Sequence, residues 1–138
     1  MNRTPLPKQF ALDLSHTPKA SLENYLPGKD LALISTLKVL SVSLNSPTES
    51  VSNNPLNQRW IYWWGPEGSG RTHLLEAMIN CAADAGLVHF FLTPNEPSAW
   101  VRLEEKMNLL AESDMPSVIA VDDVDRLDER LVGALFRI

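Results

Sequence analysis

Apolar residues in the second half of the chain follow two different spacings, which indicates strands separated by helices. After Thr72 they recur every three or four residues as far as Gly86, a pattern that predicts a helix ended by a glycine. Short apolar runs at 88–92 and 117–121 predict two strands. The segment between them predicts a further helix with the apolar residues Trp100, Leu103, Met107, Leu109 and Leu110. Strands alternating with helices favour parallel βαβ units and an α/β domain.

The first half of the chain predicts fewer regular elements. Residues 1–20 show no sustained helical period and are expected to form a flexible arm ahead of a domain over 21–138. A helix is predicted over about 30–42, where Asp30 can cap an apolar-periodic stretch. Residues 43–58 are dense in Ser, Asn and Pro and predict a surface loop. The aromatic and β-branched run Trp60–Trp64 predicts a strand that is buried on both faces.

A glycine-rich segment follows this aromatic run directly and reads Gly65-Pro66-Glu67-Gly68-Ser69-Gly70-Arg71-Thr72. Phosphate binding needs several N–H groups pointing into one small volume, and a glycine-rich turn that opens onto a helix N-terminus supplies them. The usual pattern has lysine where this chain has Arg71. Arginine keeps the positive charge but is longer and planar, so we expect nucleotide binding to survive better than hydrolysis. We include His73, the next residue, among the candidate cofactor-binding residues, although a role in helix packing is favoured because nothing nearby completes a metal site or a nucleophile dyad.

Two adjacent carboxylates, Asp122 and Asp123, follow the last predicted strand. In a phosphate-binding site Thr72 would offer its hydroxyl to Mg²⁺, and Asp122 would hold the water shell of the metal. Asp123 is the candidate catalytic residue, placed to orient or deprotonate an attacking water. Taken alone, the two aspartates favour a solvated helix cap before Leu127. The alternative for the glycine-rich segment, which is less favoured even alone, is a plain turn between a strand and a helix. Their occurrence together favours the nucleotide site.

Charge and cysteine content narrow the classes of function. With 12 Lys and Arg against 17 Asp and Glu, the net charge of −5 argues against gripping nucleic acid by phosphate neutralisation, so we expect only indirect contact with DNA. The single cysteine, Cys81, lies in an apolar helical pattern and predicts a small buried residue in a reducing compartment. No segment approaches the roughly 18 apolar residues that span a bilayer. We expect a cytoplasmic protein without membrane contact.

The stretch from Gly65 to Leu75, together with Val121-Asp122-Asp123, resembles the AAA+ module of the DnaA-related family of replication proteins. Within that family, Arg71 is typical of the Hda group, which regulates initiation of DNA replication. The resemblance implies a P-loop NTPase fold, a three-layer α/β sandwich with a parallel sheet, and ADP or ATP with Mg²⁺ as cofactor. The segment that contains Tyr25 and Leu26 is similar to the family's adenine pocket, although plain core packing explains such a pair equally well.

Members of the Hda group bind the DNA polymerase sliding clamp through a short N-terminal peptide and promote ATP hydrolysis by the DnaA initiator. The matching candidate here consists of a glutamine followed by spaced apolar residues: Gln9, Phe10, Leu12 and Leu14. An extended segment of this kind can place its apolar side chains in a pocket on a partner, with the glutamine held by hydrogen bonds. Asp13 departs from the apolar or proline residues that are commoner near the end of such peptides. The resemblance therefore implies the clamp and the initiator as partners.

A complete module of this family continues with strands that carry a sensor residue and an arginine finger, and then with a helical lid. None of these follows Ile138, so we expect an incomplete domain with a gap in its sheet, beside the strand that precedes the phosphate loop. Unpaired backbone at such a gap is costly when buried. The chain is therefore expected to be either a truncated product or a fragment whose gap is closed by swapping or by association with another copy. We therefore expect little or no ATPase activity from the chain. The alternatives are a hydrolysing P-loop ATPase of the helicase-loader type and an interaction fragment that binds no nucleotide.

Overall fold

The computed structural model describes residues 18–28, 31–45, 60–113 and 117–137. The elements in chain order are α1 (Leu31–Asn45), α2 (Arg71–Asp84), β1 (Val88–Leu92), α3 (Pro97–Ser113), β2 (Ser117–Val121), a short 3-10 turn (Val124–Arg126) and α4 (Glu129–Leu135). The candidate clamp-binding residues Gln9, Phe10, Leu12 and Leu14 lie outside the described residues. In the described ranges, no helix is long and apolar enough to cross a membrane.

The two strands β1 and β2 pair in parallel, with Val88 opposite Ser117 and Leu92 opposite Val121. This confirms the predicted βαβ unit, with α3 as the crossover between the strands. Leu92 packs with α3 and α4 in one apolar cluster, together with alternate side chains of both strands: Phe90, Ile119 and Val121. Because side chains alternate across a strand, the intervening residues face the opposite side, and α2 packs against both strands. Helices therefore lie against both faces of a small parallel sheet, which gives an α/β arrangement that is compatible with part of a P-loop-like fold.

Helix α2 ends as its sequence predicts. Gly86 has a left-handed backbone with φ of 71°. Its N–H donates to the carbonyl of Ala83 at 3.0 Å, and the next amide, that of Leu87, donates to Ala82 at 2.9 Å. These two bonds form the Schellman arrangement, in which glycine takes the left-handed position because it has no Cβ. The last carbonyls of α2 are thereby satisfied just before β1 begins.

Helix α1 runs three residues further than the pattern predicts, so the predicted loop over 43–58 is wrong at residues 43–45. Polar side chains in this part bond back to the preceding turn of the helix: Ser43 Oγ donates to Val39 at 3.1 Å, and Asn45 Nδ2 donates to Ser41 at 2.9 Å. Leu44 also packs against the apolar cluster that joins α1 to α2. Local bonds and apolar packing therefore keep the last turn helical despite its Ser and Asn content.

The predicted strand at Trp60–Trp64 is not present as a strand, and the expected burial on both faces is also wrong. Trp60, Tyr62 and Trp64 are 64%, 72% and 81% exposed, while the residues between them are half-buried. A strand needs a hydrogen-bonded neighbour, and in the described residues the sheet contains only β1 and β2. A cleft of about 590 Å³ is lined by residues of this aromatic segment and by all of β2.

Cys81 lies half-buried on α2 and forms no disulfide. Burial raises the pKa of its thiol, and the negative charges of Glu23 and Asp84 raise it further. A raised pKa reduces the thiolate fraction, which is the reactive form. The environment of Cys81 thus agrees with the packing role predicted from its apolar pattern.

Candidate functional site

The glycine-rich segment forms a tight turn ahead of α2. The amide of Ser69 donates to the carbonyl of Pro66 at 3.1 Å and closes the turn. Gly68 and Gly70 both have left-handed backbones, with φ of 77° and 82°. Ser69 packs directly against Gly65, where an added Cβ would lie only 2.8 Å from Ser69 Oγ. Glycine is therefore required by conformation at two positions and by space at a third.

Helix α2 begins with free amide donors. Gly70 occupies the N-cap position, so no side chain caps the first turn, and the first regular helical bond is from Leu74 N to Gly70 O at 3.0 Å. The first N–H groups of a helix have no partner within the helix, and its aligned peptide dipoles place partial positive charge at this end. A helix of this length preceded by a glycine turn is the arrangement that binds phosphate groups.

A cavity of about 400 Å³ opens at this helix end. It is lined by Glu67, Gly68, Ser69, Gly70, Arg71, Thr72, Asp123 and Arg126. Arg71 makes no ion pair with any residue in the described part of the chain, so its guanidinium is available to an anion. The hydroxyl oxygen of Ser69 is buried and has no hydrogen-bond partner among the described residues. An uncapped helix end and an unpaired arginine thus border one space, while the Ser69 hydroxyl is buried against Gly65.

The structure brings Thr72 and Asp122 together, although they are far apart in the sequence. Thr72 Oγ1 donates to Asp122 Oδ2 at 2.6 Å. The other carboxylate oxygen, Oδ1, accepts from Asp123 N at 2.9 Å, and Asp122 N donates to Leu92 O at 2.9 Å. Asp122 therefore continues the β1–β2 pairing and holds its carboxylate against the first turn of α2. The geometry unites the two residues that the sequence assigns to a Mg²⁺ site.

The two aspartates do not cap α4. Asp128 occupies that N-cap position, and its Oδ1 accepts from Leu131 N at 2.8 Å. Asp123 instead has a left-handed backbone, with φ of 49°, which is uncommon for a residue other than glycine. In the described residues, no three His, Cys, Asp or Glu side chains are grouped to hold a metal by themselves.

Arg126 borders the cavity and was not predicted from the sequence. Its Nη1 lies 3.5 Å from Asp123 Oδ2, and its side chain is 71% exposed. The 3-10 turn carries it back towards the phosphate loop. The spacing of three residues between Asp123 and Arg126 predicts an ion pair at most, because a local pattern does not show which distant loop a side chain meets.

Of the two residues predicted to contact adenine, only Tyr25 reaches the glycine turn. Its hydroxyl donates to the carbonyl of Ser69 at 3.0 Å. Its ring lies so close to Gly70 that a Cβ there would be 2.6 Å from Tyr25 Cε2. Leu26 is 91% exposed and does not line the cavity. Tyr25 also packs against the apolar cluster between α1 and α2, so it belongs to the core and to the edge of the site.

His73 faces the segment before α1 and is not among the residues that line the cavity. Its Nε2 lies 3.0 Å from the carbonyl of Ser21, to which it donates when the hydrogen is on that nitrogen. Its ring centroid is 5.9 Å from that of Tyr25. The contacts of His73 are therefore those of a residue that fastens this segment to α2.

Comparison with known proteins gives a weak and partial link to replication initiators. The chain is 35% identical over 71 residues to the chromosomal replication initiator protein DnaA 2 of Chlamydia caviae, which is 50% of this chain and 14% of that protein. It is 37% identical over 76 residues to DnaA 1 of Chlamydia pneumoniae, or 52% of this chain and 15% of that protein. These matches support a DnaA-related link.

A longer match joins the chain to an uncharacterised protein of Haemophilus influenzae. The two are 29% identical over 120 residues, which is 84% of this chain and 47% of the relative. The chain thus spans about half the length of this relative and a much smaller part of the two initiators. No protein-family model and no solved structure matches the chain.

A series of three glycine variants tests the conformation of the turn. Gly68→Ala introduces backbone strain alone, because no atom lies within 4 Å of the added Cβ, and should cost about 1–2 kcal/mol in the free energy of unfolding. Gly70→Ala adds crowding against Tyr25 and should cost more. Gly28→Ala adds neither and should stay within about 0.5 kcal/mol of the unaltered chain. Denaturant unfolding measures all three, and equal losses at 68 and 70 would contradict the close approach of Tyr25.

Proposed function

We propose that the chain is an adenine-nucleotide-binding module of the DnaA-related AAA+ type that acts as an Hda-like regulator of replication initiation. The observation that carries the proposal is that the glycine turn and the uncapped start of α2 border one cavity, and that Thr72, which also lines it, is bonded to Asp122 at the end of β2. Two parts of the chain that are 50 residues apart supply these features: the glycine-rich segment that runs into α2, and the end of β2. A plain turn between a strand and a helix needs none of these features.

The donors around the cavity fit a Mg²⁺-bound polyphosphate. The first amides of α2 and the guanidinium of Arg71 would hold phosphate oxygens. Thr72 and Asp122 supply the hard oxygen ligands that Mg²⁺ prefers, directly or through water. When bound, the metal neutralises phosphate charge. Because no group of three ligating side chains is present in the described residues, the phosphates themselves would complete the coordination.

The charges around the cavity bear on how strongly it would attract a polyphosphate with and without a bound metal. Arg71 and Arg126 are opposed by Glu67 and Asp123, so the charged side chains that line the cavity sum to zero. Attraction for a polyphosphate must therefore come mainly from the helix N-terminus and from the metal. A cavity whose lining charges sum to zero suits a nucleotide that binds together with its Mg²⁺. We propose that this nucleotide is a regulatory ligand.

The regulatory role rests on three supports. The matches to parts of DnaA proteins give the replication context. Arg71 stands in place of the usual lysine and favours binding over turnover. The candidate peptide from Gln9 to Leu14 would join the chain to the sliding clamp, from which the module would engage the ATP-bound initiator and promote hydrolysis there.

A second candidate function is hydrolysis by the chain itself, as in an ATPase of the helicase-loader type. Its support is the position of Asp123, which lines the cavity beside the Thr72–Asp122 pair. In that case Asp123 would orient or deprotonate a water. The ion pair with Arg126 weighs against this function, because it engages a carboxylate oxygen of Asp123 that would otherwise accept a hydrogen bond from the water.

Nucleotide binding is tested by titrating the chain with fluorescent ADP or ATP in the presence of Mg²⁺. We expect saturable binding, and we expect Arg71→Ala to weaken it at least about tenfold, since a charged hydrogen-bond donor to phosphate is lost. Arg130→Ala is the matched control, because Arg130 is exposed on α4 and does not line the cavity. Its affinity should equal that of the unaltered chain. An unaltered chain that shows no saturable binding would refute the proposed function.

Catalytic turnover separates the two candidates. We expect no Mg²⁺-dependent release of phosphate from ATP in a coupled assay, because binding alone is proposed for this chain. Turnover that is abolished by Asp123→Asn would instead establish the hydrolysing ATPase. Circular dichroism of the variant checks that it remains folded.

Clamp binding is tested by capture on an immobilised sliding clamp. We expect the unaltered chain to be retained, and the double variant Gln9→Ala/Leu12→Ala to be lost, because the anchoring amide and one apolar side chain are removed. Asp13→Ala is a control on the same peptide that leaves both anchors in place, and it should be retained. Equal retention of the unaltered chain and the double variant would rule out this part of the proposal.

A further inference from the structure

Residues 19–25, which we name the strap, lie along α2 from its end to its beginning. Lys19 Nζ contacts Asp84 Oδ1 at 3.0 Å at the last residue of the helix. Asn80 Nδ2 then donates to Ala20 O at 2.8 Å, and His73 lies 3.0 Å from the Ser21 carbonyl. At the far end, Tyr25 donates to Ser69 in the glycine turn. The strap thus links both ends of α2 through a series of polar contacts.

The strap has a fixed shape of its own. Asn24 Oδ1 accepts from Ser21 N at 2.9 Å, Asn24 N donates to Ser21 Oγ at 3.2 Å, and Asn24 Nδ2 donates to Lys19 O at 3.0 Å. Leu22 is 3% exposed and packs in the cluster between α1 and α2. The hydrogen bonds of Asn24 and the burial of Leu22 therefore position Tyr25 beside the glycine turn.

The hydroxyl of Tyr25 acts on the peptide between Ser69 and Gly70. The carbonyl and the following N–H of a trans peptide lie in one plane and point in opposite directions. Fixing the Ser69 carbonyl towards Tyr25 therefore fixes the Gly70 N–H away from it. Both residues line the cavity, and Gly70 is the N-cap of α2. This one hydrogen bond sets the orientation of the peptide that leads into the N-cap residue of α2.

We propose that Tyr25 is a positioning residue for the phosphate loop: its hydroxyl holds the Ser69–Gly70 peptide in the orientation that receives phosphate. The proposal rests on nucleotide binding as the proposed function. It differs from the adenine contact that the sequence resemblance implies for Tyr25. Loss of a positioning residue lowers the affinity for any polyphosphate, whereas loss of a base contact lowers the affinity only for ligands that carry the base.

Comparing two ligands separates these roles. Tyr25→Phe keeps the ring that packs on Gly70 and removes the donor, and Tyr62→Phe is the matched control, because Tyr62 is the other tyrosine and is 72% exposed. We expect Tyr25→Phe to weaken Mg-ADP and Mg-tripolyphosphate alike, by about three- to tenfold, the effect of one neutral hydrogen bond. The control should bind both ligands normally. A loss for ADP without a loss for tripolyphosphate, or no loss for either, would overturn the proposal.

Hydrogen exchange tests the positioning role without any ligand. The Ser69 amide is bonded to Pro66 across the turn, so it should exchange faster in Tyr25→Phe than in the unaltered chain. The Leu87 amide, bonded to Ala82 at the other end of α2, should be unchanged. Equal acceleration at both amides would show general destabilisation and overturn the proposal. If the unaltered chain binds neither ligand, the proposed function fails, and this exchange experiment alone decides the role of Tyr25.

Discussion

The hydrogen bond between Thr72 and Asp122 is the constraint on which the candidate site depends. The segment that precedes the glycine turn is not paired in the sheet, so the sheet does not hold the turn from that side. The turn is positioned through α2, which packs on both strands, and through this bond of 2.6 Å from its first turn to the end of β2. A hydrogen bond from a hydroxyl to a carboxylate is shorter and stronger than a hydrogen bond between two neutral groups. It fixes the distance between the first amides of α2 and the acidic end of β2.

The parts of the fold that follow from local patterns were predictable from the sequence. The strands β1 and β2, helix α2 and its glycine ending each depend on a periodicity or a residue within a few positions. Trp60–Trp64 has the composition of a strand but not the structure, because a strand depends on a neighbour that composition does not provide. Exposed aromatic side chains along an unpaired segment are the physical sign that local preference and long-range pairing disagree here.

The candidate site divides in the same way. The glycine turn, Thr72 and Asp122 were predictable because residue type and order specify them. The contacts of Tyr25 and Arg126 with the loop were not, since the Tyr25 hydroxyl reaches a carbonyl 44 residues away and Arg126 depends on the path of the 3-10 turn. The resemblance to a family implied an adenine contact for Tyr25 but did not say which atom its hydroxyl contacts. That answer needed the position of the Ser69 carbonyl.

The strap gives the two proposals a physical connection. The candidate clamp-binding peptide ends at Leu14, shortly before the strap in the sequence, and the strap ends on the glycine turn. The Lys19–Asp84 pair at its start is exposed and contributes little to stability, whereas Leu22 and the contacts of Tyr25 hold the other end more firmly. If a partner of the arm changes how the strap lies on α2, it changes the orientation of the Ser69–Gly70 peptide. By linkage, nucleotide would then change the affinity for that partner by the same factor, so the strap is the element through which two separate ligands would be coupled.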